Sequence, residues 1–224
     1  MSPEFIAAAT ALAIALSLRP WRLLAGGHLL TPLLASLVIV PWLWALPRLH
    51  AMPLQLQWSG ACLVTLMLGW PLAVPVLGLV SWFSVLLAPA DAATVLDQWL
   101  WLGVVPATLS MALGAALRRW VGPHPFVYIL GRGFLGTVAC LFVASALGQW
   151  AGHELVVVGT GLSMVAHWLM AWGDGFVTGL LAAIFVAFRP DWLATWSDGL
   201  YLRRPSPGSS ELEEDQGHGD GPGG

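Results

Sequence analysis

Four side chains that can bind a metal or move a proton recur along one apolar stretch near the C-terminal end. They are Met164, His167, Met170 and Asp174. On a continuous helix they would share one face, and this stripe of thioether, imidazole and carboxylate groups could hold or pass a transition metal or a proton. Alternatively, His167 and Asp174 bond to neighbouring backbone or side chains, and the methionines only pack. Gly173 and Gly175 could also break the helix and destroy the register.

Arg132, between Gly131 and Gly133, is a charged residue inside an apolar stretch. Ionisable groups at membrane depth are candidates for function because lipid solvates them poorly. Two roles are predicted for Arg132: an interfacial anchor, or the partner of Asp174 in a buried ion pair. Two thiols, Cys62 and Cys140, also fall in apolar stretches and are expected to pack as small apolar groups.

The sequence contains none of the common short catalytic motifs. Nucleophile-elbow, zincin, P-loop and paired C-x-x-C patterns are all missing. The chain therefore has no means of hydrolysing ATP itself, and we predict that it is not an enzyme and holds no permanently bound cofactor. An intramembrane enzyme that uses His167 and Asp174 is an alternative, but no nucleophile lies beside them at helical spacing.

The composition indicates where these residues must lie. Hydrophobic residues make up 58% of the 224, charged residues 9%, and the mean hydropathy is +0.77. Soluble domains are nearer to about half apolar and a quarter charged. We therefore predict an all-α fold, a polytopic bundle of transmembrane helices whose first partner is the lipid bilayer. No basic face suggests nucleic acid as a partner.

Six apolar regions are candidates for spans, each of which needs roughly 20 apolar residues. They cover residues 5–18, 29–46, 60–87, 99–117, 126–150 and 155–188. The third region is too long for one crossing and is interrupted at Gly69-Trp70-Pro71, which predicts two helices that meet there. The last region is either one long helix bent near residues 173–175 or two short segments.

The positions of arginine predict the topology, because short cytoplasmic loops are enriched in basic residues. The best fit has seven spans, an external N-terminus and a single helix over residues 155–188. In that topology Arg48 is the one arginine of the loops that lies outside, and the loop with Asp91 and Asp97 also lies outside. The arginines then placed inside are Arg19, Arg22, Arg118, Arg119, Arg189, Arg203 and Arg204. We predict about seven spans, N-out and C-in. Residues 1–204 would form the transmembrane domain, and residues 205–224 a disordered acidic cytoplasmic tail.

Three segments resemble the CbiM/NikM family of energy-coupling factor transporter permeases for cobalt and nickel, and more closely its short bacterial branch. They are residues 60–71, residues 125–129 with Gly133 and Phe134, and residues 173–179 followed by 189–193. The resemblance implies seven spans, an external N-terminus and a multi-pass protein of the bacterial inner membrane. It also implies a substrate-capture or permease role alongside a separate coupling ATPase and transmembrane coupling subunits.

The metal site of the family is only partly matched. The resemblance implies the terminal amine of Met1 as a ligand, but the two family histidines are replaced by Ser2 and Gln57. An amide oxygen is a poor substitute for imidazole at a nickel or cobalt site. Two functions stay open: capture of a transition metal (cobalt, nickel or copper), or an assembly or interaction subunit that has lost the metal site.

Overall fold

The computed structural model describes residues 3–50, 58–122, 124–152 and 160–196, without the side chains of residues 160–163. Within these ranges every regular element is helical, which confirms the predicted all-α class. The α-helices are α1 (Pro3–Ser17), α2 (Trp21–Leu24), α3 (Leu30–Leu49), α4 (Ala61–Leu68), α5 (Trp70–Leu87), α6 (Ala92–Asp97), α7 (Val105–Trp120), α8 (Gly136–Trp150) and α9 (Thr160–Phe188).

Two π-helical segments join shorter helices into long ones. Gln98–Val104 connects α6 to α7, and Val127–Leu135 precedes α8 without a break. The resulting helices, Ala92–Trp120 and Val127–Trp150, are 29 and 24 residues long. Isolated π-bulges widen a helix and occur often at functional sites. Nothing in the apolar pattern of these regions predicted them.

Five helices of the described chain are long and apolar enough to cross a membrane. They are Leu30–Leu49, Trp70–Leu87, Ala92–Trp120, Val127–Trp150 and Met164–Phe188 within α9. Large apolar side chains cover their outer surfaces, as lipid contact requires; Leu169 and Phe176, for example, are each 65% exposed. The predicted count of seven is not confirmed, because α1 has 15 residues and α4 only 8.

The interruption predicted at Gly69-Trp70-Pro71 is confirmed, but the helix before it is shorter than expected. Eight residues rise only about 12 Å at 1.5 Å each, so α4 alone cannot cross the hydrocarbon core. Gly69 adopts φ 74° and ψ 155°, a conformation that favours glycine, and Pro71 follows immediately. Seven of the eight residues of α4 are buried, so neighbouring helices surround it.

The C-terminal end of α4 is closed by residues that follow α9. The amide of Ala194 donates to the carbonyl of Met67 at 2.9 Å, and the Thr195 hydroxyl donates to the carbonyl of Leu66 at 2.9 Å. Pro71, four residues after Met67, has no N–H to offer that carbonyl. The ends of α4 and α9 therefore lie at the same end of the bundle.

The last long helix is continuous from Thr160 to Phe188, so the single helix favoured by the arginine pattern is confirmed over these residues, whereas residues 155–159 lie outside the described ones. The predicted alternative of two segments divided at Gly173-Asp174-Gly175 is wrong. Gly175 serves close packing instead, because a Cβ there would lie 2.5 Å from the Val138 side chain. An added Cβ on Gly179, one turn later, would lie 2.9 Å from Phe134. The two glycines let α9 approach the helix of α8 closely.

Candidate functional site

Asp174 lies in the middle of α9 and is 3% exposed. Its Oδ2 accepts hydrogen bonds from two backbone amides, Ser59 at 2.9 Å and Gly60 at 3.0 Å. Its Oδ1 accepts a bond from the hydroxyl of Thr178, one turn further along α9, at 3.3 Å. We call Ser59 and Gly60, which come immediately before α4, the Ser59–Gly60 junction. The carboxylate therefore caps the N-terminal end of α4 from a helix more than 110 residues away in sequence.

This cap adds to a local one, in which the hydroxyl of Ser59 accepts a hydrogen bond from the amide of Ala61 at 3.2 Å. The first amides of any helix have no partner within it, and at membrane depth no water replaces one. Acidic groups are also favoured near helix N-termini, where the backbone dipoles leave partial positive charge. Gly60 has a left-handed conformation with φ +61°, which a glycine adopts without strain and which turns the chain into α4.

The side chain and carbonyl of Ser59 connect the junction to two further helices. Its hydroxyl donates to the carbonyl of Leu102 at 2.6 Å, and its carbonyl accepts a bond from the indole of Trp44 at 3.0 Å. Pro106, four residues after Leu102, has no N–H, so the carbonyl of Leu102 lacks its usual α-helical donor. The junction is thus bound to α3 through Trp44, to Ala92–Trp120 through Leu102, and to α9 through Asp174.

We expect Ser59→Ala to lower the free energy of unfolding by about 1–2 kcal/mol, because the substitution leaves a buried carbonyl without its hydroxyl donor. The measurement is thermal or denaturant unfolding of the detergent-solubilised chain. Ser36→Ala is the matched control. Ser36 is also buried, but its hydroxyl bonds only to Pro32 in its own helix, at 2.8 Å, so its loss should change little. Equal effects of both substitutions would contradict the role assigned to Ser59.

The stripe predicted on the last helix keeps its register, because α9 is unbroken. Met164, His167 and Met170 are each half-buried. His167 Nδ1 lies 3.4 Å from Gln149 Nε2 on α8. His167 and Asp174 are seven residues apart, which is about 10 Å along the axis, too far to ligate one ion with bonds of about 2 Å. His167 can share an ion with Met164 or Met170, whereas Asp174 is engaged with the junction.

No set of three or more His, Cys, Asp or Glu residues that could hold a metal occurs among the described residues. Cys62 and Cys140 are both buried, and they pack in one small apolar cluster with Val138, Leu141 and Ala171. This placement agrees with the packing role expected from the sequence. Three positions named by the family resemblance, Met1, Ser2 and Gln57, lie outside the described residues, and so does the predicted tail, residues 205–224.

Arg132 is placed away from Asp174. It lies in the π segment before α8, is 4% exposed, and has its guanidinium against Gly114 of α7. The next residue, Gly133, packs against Gly179 and Ala182, more than one helical turn beyond Asp174. The structure therefore places the two residues predicted as an ion pair on different partners. The other prediction, an anchor at the membrane interface, does not match either, because the side chain of Arg132 is buried.

Arg48, the exception in the arginine pattern, is half-buried in the last turn of α3. Its Nη2 donates to the hydroxyl of Ser84 at 2.8 Å and to Oε1 of Gln98 at 3.4 Å. Arg48 is therefore held by side chains of two neighbouring helices, a reason for its position that is independent of loop charge.

The Ser59–Gly60 junction was not predicted from the sequence. The one signal available was Pro106, which frees a carbonyl inside an apolar stretch.

No protein-family model, no curated protein and no solved structure matches this chain.

Proposed function

We propose that this chain is the membrane-embedded substrate-capture or permease component of an energy-coupling factor type transporter. The observation that carries the proposal is the short buried helix α4, with irregular backbone at both ends and a carboxylate from α9 on its N-terminal amides. Discontinuous helices of this kind occur in transporters, where half-helix ends and unwound backbone near the midplane contact the transported solute. Irregular backbone is tolerated at that depth only inside protein or beside a water-filled cavity.

We propose seven crossings, N-out and C-in, in the bacterial inner membrane. In this topology α4 forms the second half of the third crossing. Its N-terminal end lies level with Asp174 in the middle of α9, and its C-terminal end meets Ala194 beyond α9. Arg189 follows α9 at that same end of the bundle, and Arg118 lies there beside Tyr128, whose hydroxyl is 2.8 Å from that of Thr195. This arginine-rich end is the cytoplasmic one under the positive-inside rule.

The proposed solute is a transition metal ion: cobalt or nickel by family resemblance, or copper by the softness of thioether ligands. His167 with Met164 and Met170 would be the part of α9 that meets it. Because the chain has no nucleotide-binding motif, energy must come from a separate coupling ATPase and coupling subunits.

The test is affinity purification from native membranes with elemental analysis of the eluate. We expect cobalt, nickel or copper near one ion per chain, together with a coupling ATPase. His167→Ala should lower the retained metal by about tenfold or more, since changes even in the outer shell of a metal site cost about 10–100-fold in affinity. His124→Ala, at an exposed position outside α9, is the control. An eluate with neither metal nor ATPase would contradict the proposal.

A second function, an assembly or interaction subunit, is favoured by the use of Asp174. Its carboxylate oxygens are taken by the amides of Ser59 and Gly60 and the hydroxyl of Thr178, so the one buried acid of α9 serves packing. The double variant Ser2→His with Gln57→His separates the two functions. No gain in retained metal would support the assembly subunit, whereas restored binding would support metal capture.

A further inference from the structure

Two arginine side chains line one cleft between the end of α7 and the π segment before α8. This arginine cleft opens to the surface and is lined by Arg118, Arg132 and Tyr128. The other residues that line it are glycine or apolar, among them Gly114 and Leu117. The cleft lies away from Asp174 and the Ser59–Gly60 junction, so it is a separate feature of the molecule.

Gly114 is the common neighbour of both guanidinium groups. Arg132 lies so close that a Cβ at position 114 would be 2.5 Å from its Cζ. Arg118, on the next turn of the helix, donates from Nε to the carbonyl of Gly114 at 3.3 Å. The ring of Tyr128 forms a wall, with its centroid 5.8 Å from Cζ of Arg132. Arg132 is buried and Arg118 is exposed, so the cleft has a cationic floor and a cationic rim.

Guanidinium groups bind phosphate oxygens through paired, charge-assisted hydrogen bonds. Two of them beside one cleft repel each other, and an anion between them removes that repulsion. We propose that the arginine cleft is a binding site for a phosphate group. The cleft lies where α7 ends with Arg118 and Arg119, the level at which a bilayer offers the phosphates of its lipids. The expected source is therefore the headgroup of an anionic phospholipid.

The test is native mass spectrometry of the purified full chain in an uncharged detergent, titrated with phosphatidylglycerol or phosphatidylcholine. We expect the chain to retain phosphatidylglycerol about tenfold more tightly than phosphatidylcholine, and Arg118→Gln or Arg132→Gln to raise the Kd for phosphatidylglycerol about tenfold. Arg119→Gln is the matched control: it removes the same charge one residue further on, and Arg119 does not line the cleft. It should leave the Kd unchanged.

A competition with inorganic phosphate distinguishes a lipid headgroup from free phosphate as the source of the bound phosphate group. Displacement of phosphatidylglycerol by millimolar phosphate would show that the free ion occupies the cleft; lack of displacement, with weaker binding in both cleft variants, would assign it to the lipid headgroup. Equal loss in Arg118→Gln and Arg119→Gln would overturn the proposal, since general charge attraction would then suffice. No preference for phosphatidylglycerol over phosphatidylcholine would overturn it too. Arg118 is exposed, so its variant keeps the test valid even if Arg132→Gln unfolds.

Discussion

Replacing Asp174 with alanine is expected to lower the free energy of unfolding by about 3 kcal/mol. The reason is that the change removes the acceptor of two amides, those of Ser59 and Gly60, and each buried unsatisfied donor costs about 1–3 kcal/mol. Helix α4 would lose its N-terminal cap where water does not replace it. The measurement is unfolding of the detergent-solubilised chain, followed by tryptophan fluorescence.

Two further variants make this result specific. Asp174→Asn keeps a carbonyl oxygen that can accept one of the amide hydrogens, so its loss should be smaller than that of alanine. Asp191→Ala removes an exposed acid after α9 and should change the free energy of unfolding by less than about 0.5 kcal/mol. If Asp174→Ala were as stable as Asp191→Ala, the carboxylate would not hold the junction.

Adding one methyl group at Gly175 is expected to lower the free energy of unfolding by about 1–3 kcal/mol, the range for overpacking a tight core. The new Cβ would lie 2.5 Å from Cγ2 of Val138 and 3.1 Å from the backbone oxygen of Phe134. The valine can rotate, but the backbone oxygen cannot move without shifting its helix. Gly175→Ala should therefore separate α9 from the helix of α8, and the same unfolding measurement detects it.

Gly173→Ala provides a control of opposite sign two residues away. The nearest atom to its new Cβ would be Cζ2 of Trp58 at 3.8 Å, which is ordinary contact. Because alanine is favoured over glycine inside a helix by about 0.5–1 kcal/mol, this variant should be as stable as the wild type or more so. Destabilisation by Gly173→Ala to the same extent as Gly175→Ala would mean that helix bending, not close packing, explains the glycines.

The two results also bear on how α9 relates to function. Asp174 and Gly175 are adjacent but act on different neighbours, one on the junction before α4 and the other on α8. His167, two turns earlier, contacts Gln149 and belongs to neither contact. A variant of His167 that lowers retained metal without changing stability would therefore separate solute capture from the support of α4.

The sequence by itself determined the class of the protein and the positions of most helices. The composition predicted a helical membrane bundle, and the apolar regions 29–46 and 126–150 agree with Leu30–Leu49 and Val127–Trp150 to within three residues. These features follow from local chemistry: apolar residues must face lipid, and Gly69 with Pro71 interrupts a helix. The break at Gly69-Trp70-Pro71 was predictable for the same reason, and the bias of arginines favoured the single helix that the structure shows from Thr160 to Phe188.

Only the tertiary structure decided what Asp174 and Arg132 contact. Their sequence surroundings suggested a metal stripe or an ion pair, because helical spacing shows which residues share a face but not what lies opposite. The true partners of Asp174 are backbone amides at Ser59 and Gly60, and backbone amides have no signature in the sequence. The short length of α4 was hidden for the same reason: its ends are stabilised by Asp174 and Ala194, residues more than 110 positions away.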